Sequence, residues 1–195
     1  MLDNVKSKYI VKEIFKNIKN KRKLNIIKYT ERIQIKLTIN KEDFEIYLNL
    51  KDFNNKYYIN IRDIDLKEVN LSHKHIGNEG LKDLFKINFN KLEVLDLSGN
   101  KIPDINVLEK VNFKELKKLN LSSNKISDIN ILEKVNFKEL KELYLHKNNI
   151  SDIKVLEKVK FEKLELLYLN RNELDLTKNN SIILKLKSLF KRLII

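Results

Sequence analysis

A chain of 195 residues has room for one principal domain plus a small cap or accessory domain. Its net charge of +13 admits anionic partners, but only five of its 40 basic residues are arginine. Arginine is the side chain suited to bidentate phosphate and base contacts, so the lysine excess reads as general surface and weighs against nucleic acid. The absence of cysteine excludes disulfides and thiolate metal sites. No run approaches the ~18 apolar residues that would span a bilayer, and MLDNVKSKYIVKEIF has no uninterrupted apolar core of a secretory signal. A cytoplasmic protein is expected.

In chain order, residues 1–56 read as a helical N-terminal module or cap. Tyr9, Ile10, Ile14, Phe15 and Ile18 fall on one broad helical stripe. A basic link at Asn20-Lys21-Arg22-Lys23 precedes a second apolar group, Leu24, Ile26, Ile27 and Tyr29. Between 31 and 50 the alternation of Ile33, Ile35, Leu37 and Ile39, and of Phe44, Ile46, Leu48 and Leu50, favours strands. Thr30 and Asn40 as N-caps, with Glu42 and Asp43 in a first turn, favour short helices, and no Gly or Pro marks a hairpin. Short helices are preferred here. KDFNNK, residues 51–56, reads as the connector, and YYINI, residues 57–61, as an extended entry into the central region. The segment Ile10-Val11-Lys12-Glu13-Ile14-Phe15-Lys16-Asn17-Ile18, with Leu24 and Ile26-Ile27 behind it, loosely resembles an F-box helical hairpin, although the usual opening Leu-Pro is absent. That resemblance implies a Skp1-type linker as a partner. The plainer reading is a cap that covers the core of a first repeat.

Residues 57–176 are dominated by repetition. LEVLDLSGNKI, LKKLNLSSNKI, LKELYLHKNNI and LELLYLNRNEL begin at Leu92, Leu116, Leu140 and Leu164, at one constant spacing. A short fixed period of this kind marks a stacked-repeat architecture. The pattern L-x-x-L-x-L-x-x-N-x-(I/L) is identified as that of the leucine-rich-repeat family. An irregular copy runs from Leu66 through Val69, Leu71 and Ile76, with Lys74 in the Asn position. It is two residues longer than the regular copies, and its Gly77-Asn78-Glu79-Gly80 insertion resembles the helical repeats of ribonuclease-inhibitor-like proteins. The regular copies resemble the short repeats of bacterial internalins and of phosphatase-regulatory leucine-rich proteins. The resemblance implies an α/β fold: a right-handed solenoid with a parallel concave sheet and short helices on the convex side, preceded by the small helical module.

Alternating leucines should point inward along each strand, and Asn100, Asn124, Asn148 and Asn172 should satisfy backbone groups of neighbouring turns. Lys74 should point outward and leave a less regular ladder at its end. Asp104, Asp128 and Asp152 should cap short α- or 3₁₀-helices. Phe89, Phe113, Phe137 and Phe161 should stack as an aromatic spine. Residues 177–195 read as a C-terminal cap, in which SIILKLKSLFKRLII covers the last repeat as a helix or irregular segment in preference to lying on a membrane surface.

Catalysis has little support. There is no Cys nucleophile, the three glycines compose no phosphate loop, and His73 and His75 lack a partnering carboxylate cluster. No cofactor and no metal are expected. Binding has better support. Residues 105–121 and 129–145 agree at 14 of 17 positions, and two of the three differences, Lys118/Glu142 and Asn120/Tyr144, are outward-facing strand positions. Small polar residues line the N-terminal half of that face. The last two regular repeats present Glu142, Tyr144, His146, Lys147, Leu166, Tyr168, Asn170 and Arg171, an apolar centre with a basic rim of the kind that favours interface hot spots. A monomeric, non-enzymatic module that binds a protein partner on this face is the expectation. The rival readings are a ubiquitin-ligase substrate adaptor and a basic surface for RNA or anionic lipid.

Overall fold

The computed structural model describes residues 41–61, 66–111 and 113–195. The readings for residues 5–40, the F-box resemblance among them, lie outside the described residues. The chain forms two compact units, residues 1–52 and 53–195. The first described element, helix α1 (Lys41–Tyr57), carries the boundary within it. The preference for helix over strand holds for residues 41–50. The connector expected at 51–56 is instead the end of α1. KDFNNK looks loop-like in composition, but its one apolar residue, Phe53, is buried at 2% exposure. Phe53 packs against the Tyr57 ring at 4.8 Å. Asn54 then clamps the exit from the helix: its amide donates to the Ile61 carbonyl at 2.7 Å and accepts from the Ile61 N–H at 3.0 Å.

Six three-residue strands come next, β1 (Glu68–Asn70), β2 (Val94–Asp96), β3 (Lys118–Asn120), β4 (Glu142–Tyr144), β5 (Leu166–Tyr168) and β6 (Arg192–Ile194). They form one open parallel sheet in sequence order. Each central residue is buried or half-buried and its neighbours face outward, as strand alternation requires. The return segments are helix α2 (Gly77–Leu84), 3₁₀ turns at Asn106–Lys110, Asn130–Glu133 and Lys154–Glu157, and helix α3 (Asn180–Leu189). The sheet and this helical row enclose a core of leucine and isoleucine, with Leu95, Leu119, Leu143 and Leu167 at 0% exposure.

Repeat length selects the helix type. The register advances by one constant step through Leu95, Leu119, Leu143 and Leu167, but by two residues more from Val69 to Leu95 and from Leu167 to Leu193. The two longer spans hold α-helices, and the shorter ones hold 3₁₀ turns. At the N-terminal end, Gly80 of α2 lets the end of α1 approach. A side-chain carbon there would collide with Ile76 and stand 3.1 Å from the Tyr57 ring. Lys56 pairs with Asp83 across the same contact at 2.7 Å. At the other end, α3 turns Ile182, Ile183 and Leu186 inward. The chain then adds β6, a strand absent from the sequence reading.

The asparagines hold the stack together. Asn124 accepts from the Asn100 and Ile102 N–H groups at 2.9 and 3.0 Å and donates to the Leu97 and Leu121 carbonyls at 3.0 Å each. Asn100 does the same one repeat earlier, accepting from the Lys74 and Ile76 N–H groups. The exposed Lys74 supplies no rung of its own, and the ladder ends there. Asp104, Asp128 and Asp152 each accept from the N–H two residues on, which is the first residue of the 3₁₀ turn. The capping bond therefore comes from one residue farther back than an N-cap. Phe113, Phe137 and Phe161 stack at 6.3 Å intervals. The expected fourth ring is replaced. Phe85, from the end of α2, meets Phe113 edge-on at 5.6 Å, while Phe89 is buried separately. Phe89 keeps the regular offset before its strand, but the end of α2 brings Phe85 to Phe113 in its stead.

Candidate interaction face

The outward side of the sheet presents three columns. The first reads Glu68, Val94, Lys118, Glu142, Leu166 and Arg192, and the second Asn70, Asp96, Asn120, Tyr144, Tyr168 and Ile194. Two residues past the second column stand Ser72, Ser98, Ser122, His146 and Asn170. Strand pairing extends this far, since Ser123 donates to the His146 carbonyl and Lys147 to the Asn170 carbonyl. The third column therefore sits on fixed backbone.

In the first three strands the second and third columns satisfy each other. Asn70 accepts from the Ser72 N–H and hydroxyl at 2.9 and 2.7 Å. Asp96 accepts from both donors of Ser98 at 2.8 and 2.6 Å. Asn120 accepts from the Ser122 N–H at 3.1 Å and donates to Asp96 at 3.0 Å. These local side-chain turns consume the polar capacity of that half of the face.

In β4 and β5 the device is gone, because tyrosine cannot fold back on its own backbone. The Tyr144 and Tyr168 rings stack on each other, 5.0 Å apart and 10° from parallel. The His146 imidazole stands edge-on to both, at 6.2 and 5.9 Å. The Lys118 ammonium lies over the Tyr144 ring at 4.9 Å, and the Arg192 guanidinium over the Tyr168 ring at 5.9 Å. The order along the sheet is cation, ring, ring, cation, an arrangement in which each outer ring face meets positive charge. The Tyr144 hydroxyl donates to Glu142 at 2.8 Å, and Glu142 pairs with Lys118 at 3.3 Å. Burial, and then the Glu142 carboxylate, push the Tyr144 hydroxyl pKa up.

Two polar atoms are left over. Among the described residues, His146 Nδ1 and Asn170 Oδ1 are buried with no hydrogen-bond partner. Such atoms are rare in folded proteins. Burial, then the Lys147 and Arg171 charges, hold the His146 pKa below its ordinary value. Lys147 and Arg171 occupy the strand-exit column, where the backbone is left-handed in every repeat: φ is 57° at His73, 68° at Gly99, 54° at Ser123, 55° at Lys147 and 59° at Arg171. Gly99 is the one residue suited to this conformation, and the His73 ring fills the space over it. Among the described residues Lys147, Arg171 and Arg192 make no ion pair.

All eight residues singled out in the sequence thus fall on two adjacent strands and their exits. Glu142, Tyr144, His146 and Tyr168 are in direct contact, Leu166 and Asn170 lie beside them in the same columns, and Lys147 and Arg171 flank them. The sequence reading missed Arg192 and Ile194, because residues 177–195 read as a cap. It also missed the part played by Lys118. Elsewhere, seven lysines among the described residues pair with glutamates across repeats. Glu93 pairs with Lys117 and Lys67, Glu139 with Lys163, Glu165 with Lys191, and Glu109, Glu133 and Glu157 with Lys134, Lys158 and Lys185. Among the described residues there is no cluster of three metal-ligating side chains, and no helix is long and apolar enough to cross a membrane.

A parallel sheet built from L-x-x-L-x-L strands, an asparagine ladder and helical returns together define a leucine-rich-repeat solenoid. Family models agree. The two-copy leucine-rich-repeat model matches residues 90–134 and 114–158, and a single-repeat model matches residues 64–85. Residues 64–85 and 90–158 of the chain are thus leucine-rich repeats. No curated protein sequence matches the chain. Among solved structures, an internalin (inlF) from Listeria monocytogenes is 28% identical, covering 58% of this chain and 30% of its own, with a TM-score of 0.44. This chain therefore spans under a third of that internalin. The SNF/U2A′ complex of Drosophila melanogaster is 23% identical, covering 73% of this chain and 80% of its own, with a TM-score of 0.48.

Proposed function

We propose that the protein is a non-enzymatic interaction module that binds a protein partner on the outward face of β4 to β6. Glu142, Tyr144, His146, Lys147, Leu166, Tyr168, Asn170 and Arg171 form the contact surface, to which the geometry adds Arg192. One observation carries this reading. The sheet face passes from self-satisfied Asn–Ser and Asp–Ser pairs to a tyrosine stack with two unmet polar atoms. The stack needs its leucines and asparagines, but it does not need this change. Tyrosine and arginine are also the side chains that most often dominate interface energetics.

A general polyanion surface is less well supported. Many lysines are tied to glutamates of adjacent repeats. The ring faces that would stack on bases are already covered by each other, Lys118 and Arg192.

The test is a side-by-side pull-down with the intact chain and its Tyr144→Ala/Tyr168→Ala variant, read by mass spectrometry, with Asn70→Ala as a control on the same sheet. Proteins held by the wild type and the control should be lost from the double variant. Hot-spot truncation of about 2 kcal/mol or more corresponds to roughly thirtyfold weaker binding. Identical recoveries from all three would remove the basis for placing the contact here.

A further inference from the structure

Resting on that reading of the face, we infer that its partner presents an acidic peptide segment, with carboxylates spaced around an aliphatic or aromatic side chain. The charge arrangement is the first argument. Besides Lys118, which is paired with Glu142, three cations border the tyrosine pair: Lys147 and Arg171 at the strand exits and Arg192 on β6. None is paired among the described residues, whereas the one carboxylate in the cluster, Glu142, is already bound by Lys118 and the Tyr144 hydroxyl. An incoming group therefore meets uncompensated positive charge on two sides. Complementary potentials of this kind set partner choice and encounter rate.

The second argument concerns the centre. Leu166 lies between Glu142 and Arg192 in the first column, and Ile194 beside Tyr168 in the second. These two aliphatic side chains make an apolar floor next to the tyrosine edges. A phosphate backbone has nothing to place there, and a headgroup layer is flat, whereas a peptide can set one apolar side chain between two acidic ones.

The experiment is selection from a random peptide display library on the intact chain at physiological salt, with parallel selections on Tyr144→Ala/Tyr168→Ala and on Lys147→Glu/Arg171→Glu. The expected result is enrichment, on the wild type, of peptides with Asp or Glu flanking Leu, Ile, Phe or Tyr. Their affinity by fluorescence polarisation should fall about tenfold or more on the charge-reversed variant. Enriched peptides that are neutral or basic, yet still need the tyrosines, would overturn the acidic inference and leave the face as the binding site. Enrichment that ignores the tyrosine substitutions would overturn the placement of the site and this inference with it. The same assay with oligo(U) RNA and with phosphatidylserine vesicles provides the competing arm. If these bind in a Lys147- and Arg171-dependent way while no acidic peptide is enriched, the charge serves a polyanion and the inference fails.

Discussion

Replacing Asn124 with alanine strands two buried backbone donors. The amide oxygen accepts from the Asn100 and Ile102 N–H groups, and both bonds are buried. The carbonyls it serves are better protected. Leu97 keeps its bond from Asn100, and Leu121 keeps its bond from Asn148. The loss is thus two unsatisfied donors at about 1–3 kcal/mol each, or roughly 2–6 kcal/mol. Asn172 makes a useful contrast. It accepts from one N–H, that of Ile150, and is only part-buried, so Asn172→Ala should cost about 1–2 kcal/mol. Urea unfolding followed by circular dichroism separates the two. With a slope of roughly 2 kcal/mol per molar, the Asn124 variant should shift the midpoint by about 1–3 M, and the Asn172 variant by less than about 1 M. Equal shifts, or an Asn124 shift below about 0.5 M, would refute the ladder as the source of stack stability.

Three further outcomes rest on the same geometry. Phe137, 1% exposed and stacked on two rings, should lose about 3–5 kcal/mol on substitution by alanine, measured in the same unfolding assay. Glu93 is held at a pKa of about 2 by Lys117 and Lys67. A depressed carboxylate pKa contributes stability above the unfolded value, near 4.3, and that contribution is lost as pH falls towards 2. Glu93→Gln should therefore flatten the acid limb of a melting-temperature profile, and salt should flatten the wild-type limb, since the pairs are exposed. The His146 imidazole should titrate below the ordinary histidine range by NMR. Its folded pKa is depressed, so its contribution is present above about 6.5 and declines as pH falls through the folded value. Lys147→Ala/Arg171→Ala should move that titration upward, because two of its causes are removed.

Much of this architecture was legible because the stack imposes its chemistry at a fixed period. The leucines and the asparagine rungs recur once per regular repeat, the aspartates before the 3₁₀ turns in the first three of them, and each recurs for a stated bond or buried surface. The failures occur where the period changes. Phe190-Lys191-Arg192-Leu193-Ile194-Ile195 repeats the strand pattern of Leu164 to Leu169, with Phe, Leu and Ile at the inward positions, but two residues later than the period requires. A search at the regular spacing passes over it. Phe85 takes the place expected of Phe89, whose spacing is regular, because this return is the helix α2, whose end brings Phe85 to Phe113. At 51–56 the polar composition pointed to a connector, whereas the segment is the end of α1, with Phe53 buried against the Tyr57 ring. Within the face, the columns could be read from strand alternation. The cation-bracketed tyrosine stack could not, since one of its members lies on the strand that the period concealed.

The central claim is that β4, β5 and β6 form the contact surface. Backbone amide shifts of the isotopically labelled intact chain, recorded during titration with a peptide taken from the display selection, test it most directly. The account predicts perturbations grouped at residues 142–147, 166–171 and 192–194, with β1, β2 and the 3₁₀ row unchanged. Perturbations centred on Asn106–Lys110, Asn130–Glu133 and Lys154–Glu157, or on the Asn–Ser half of the sheet, would contradict it.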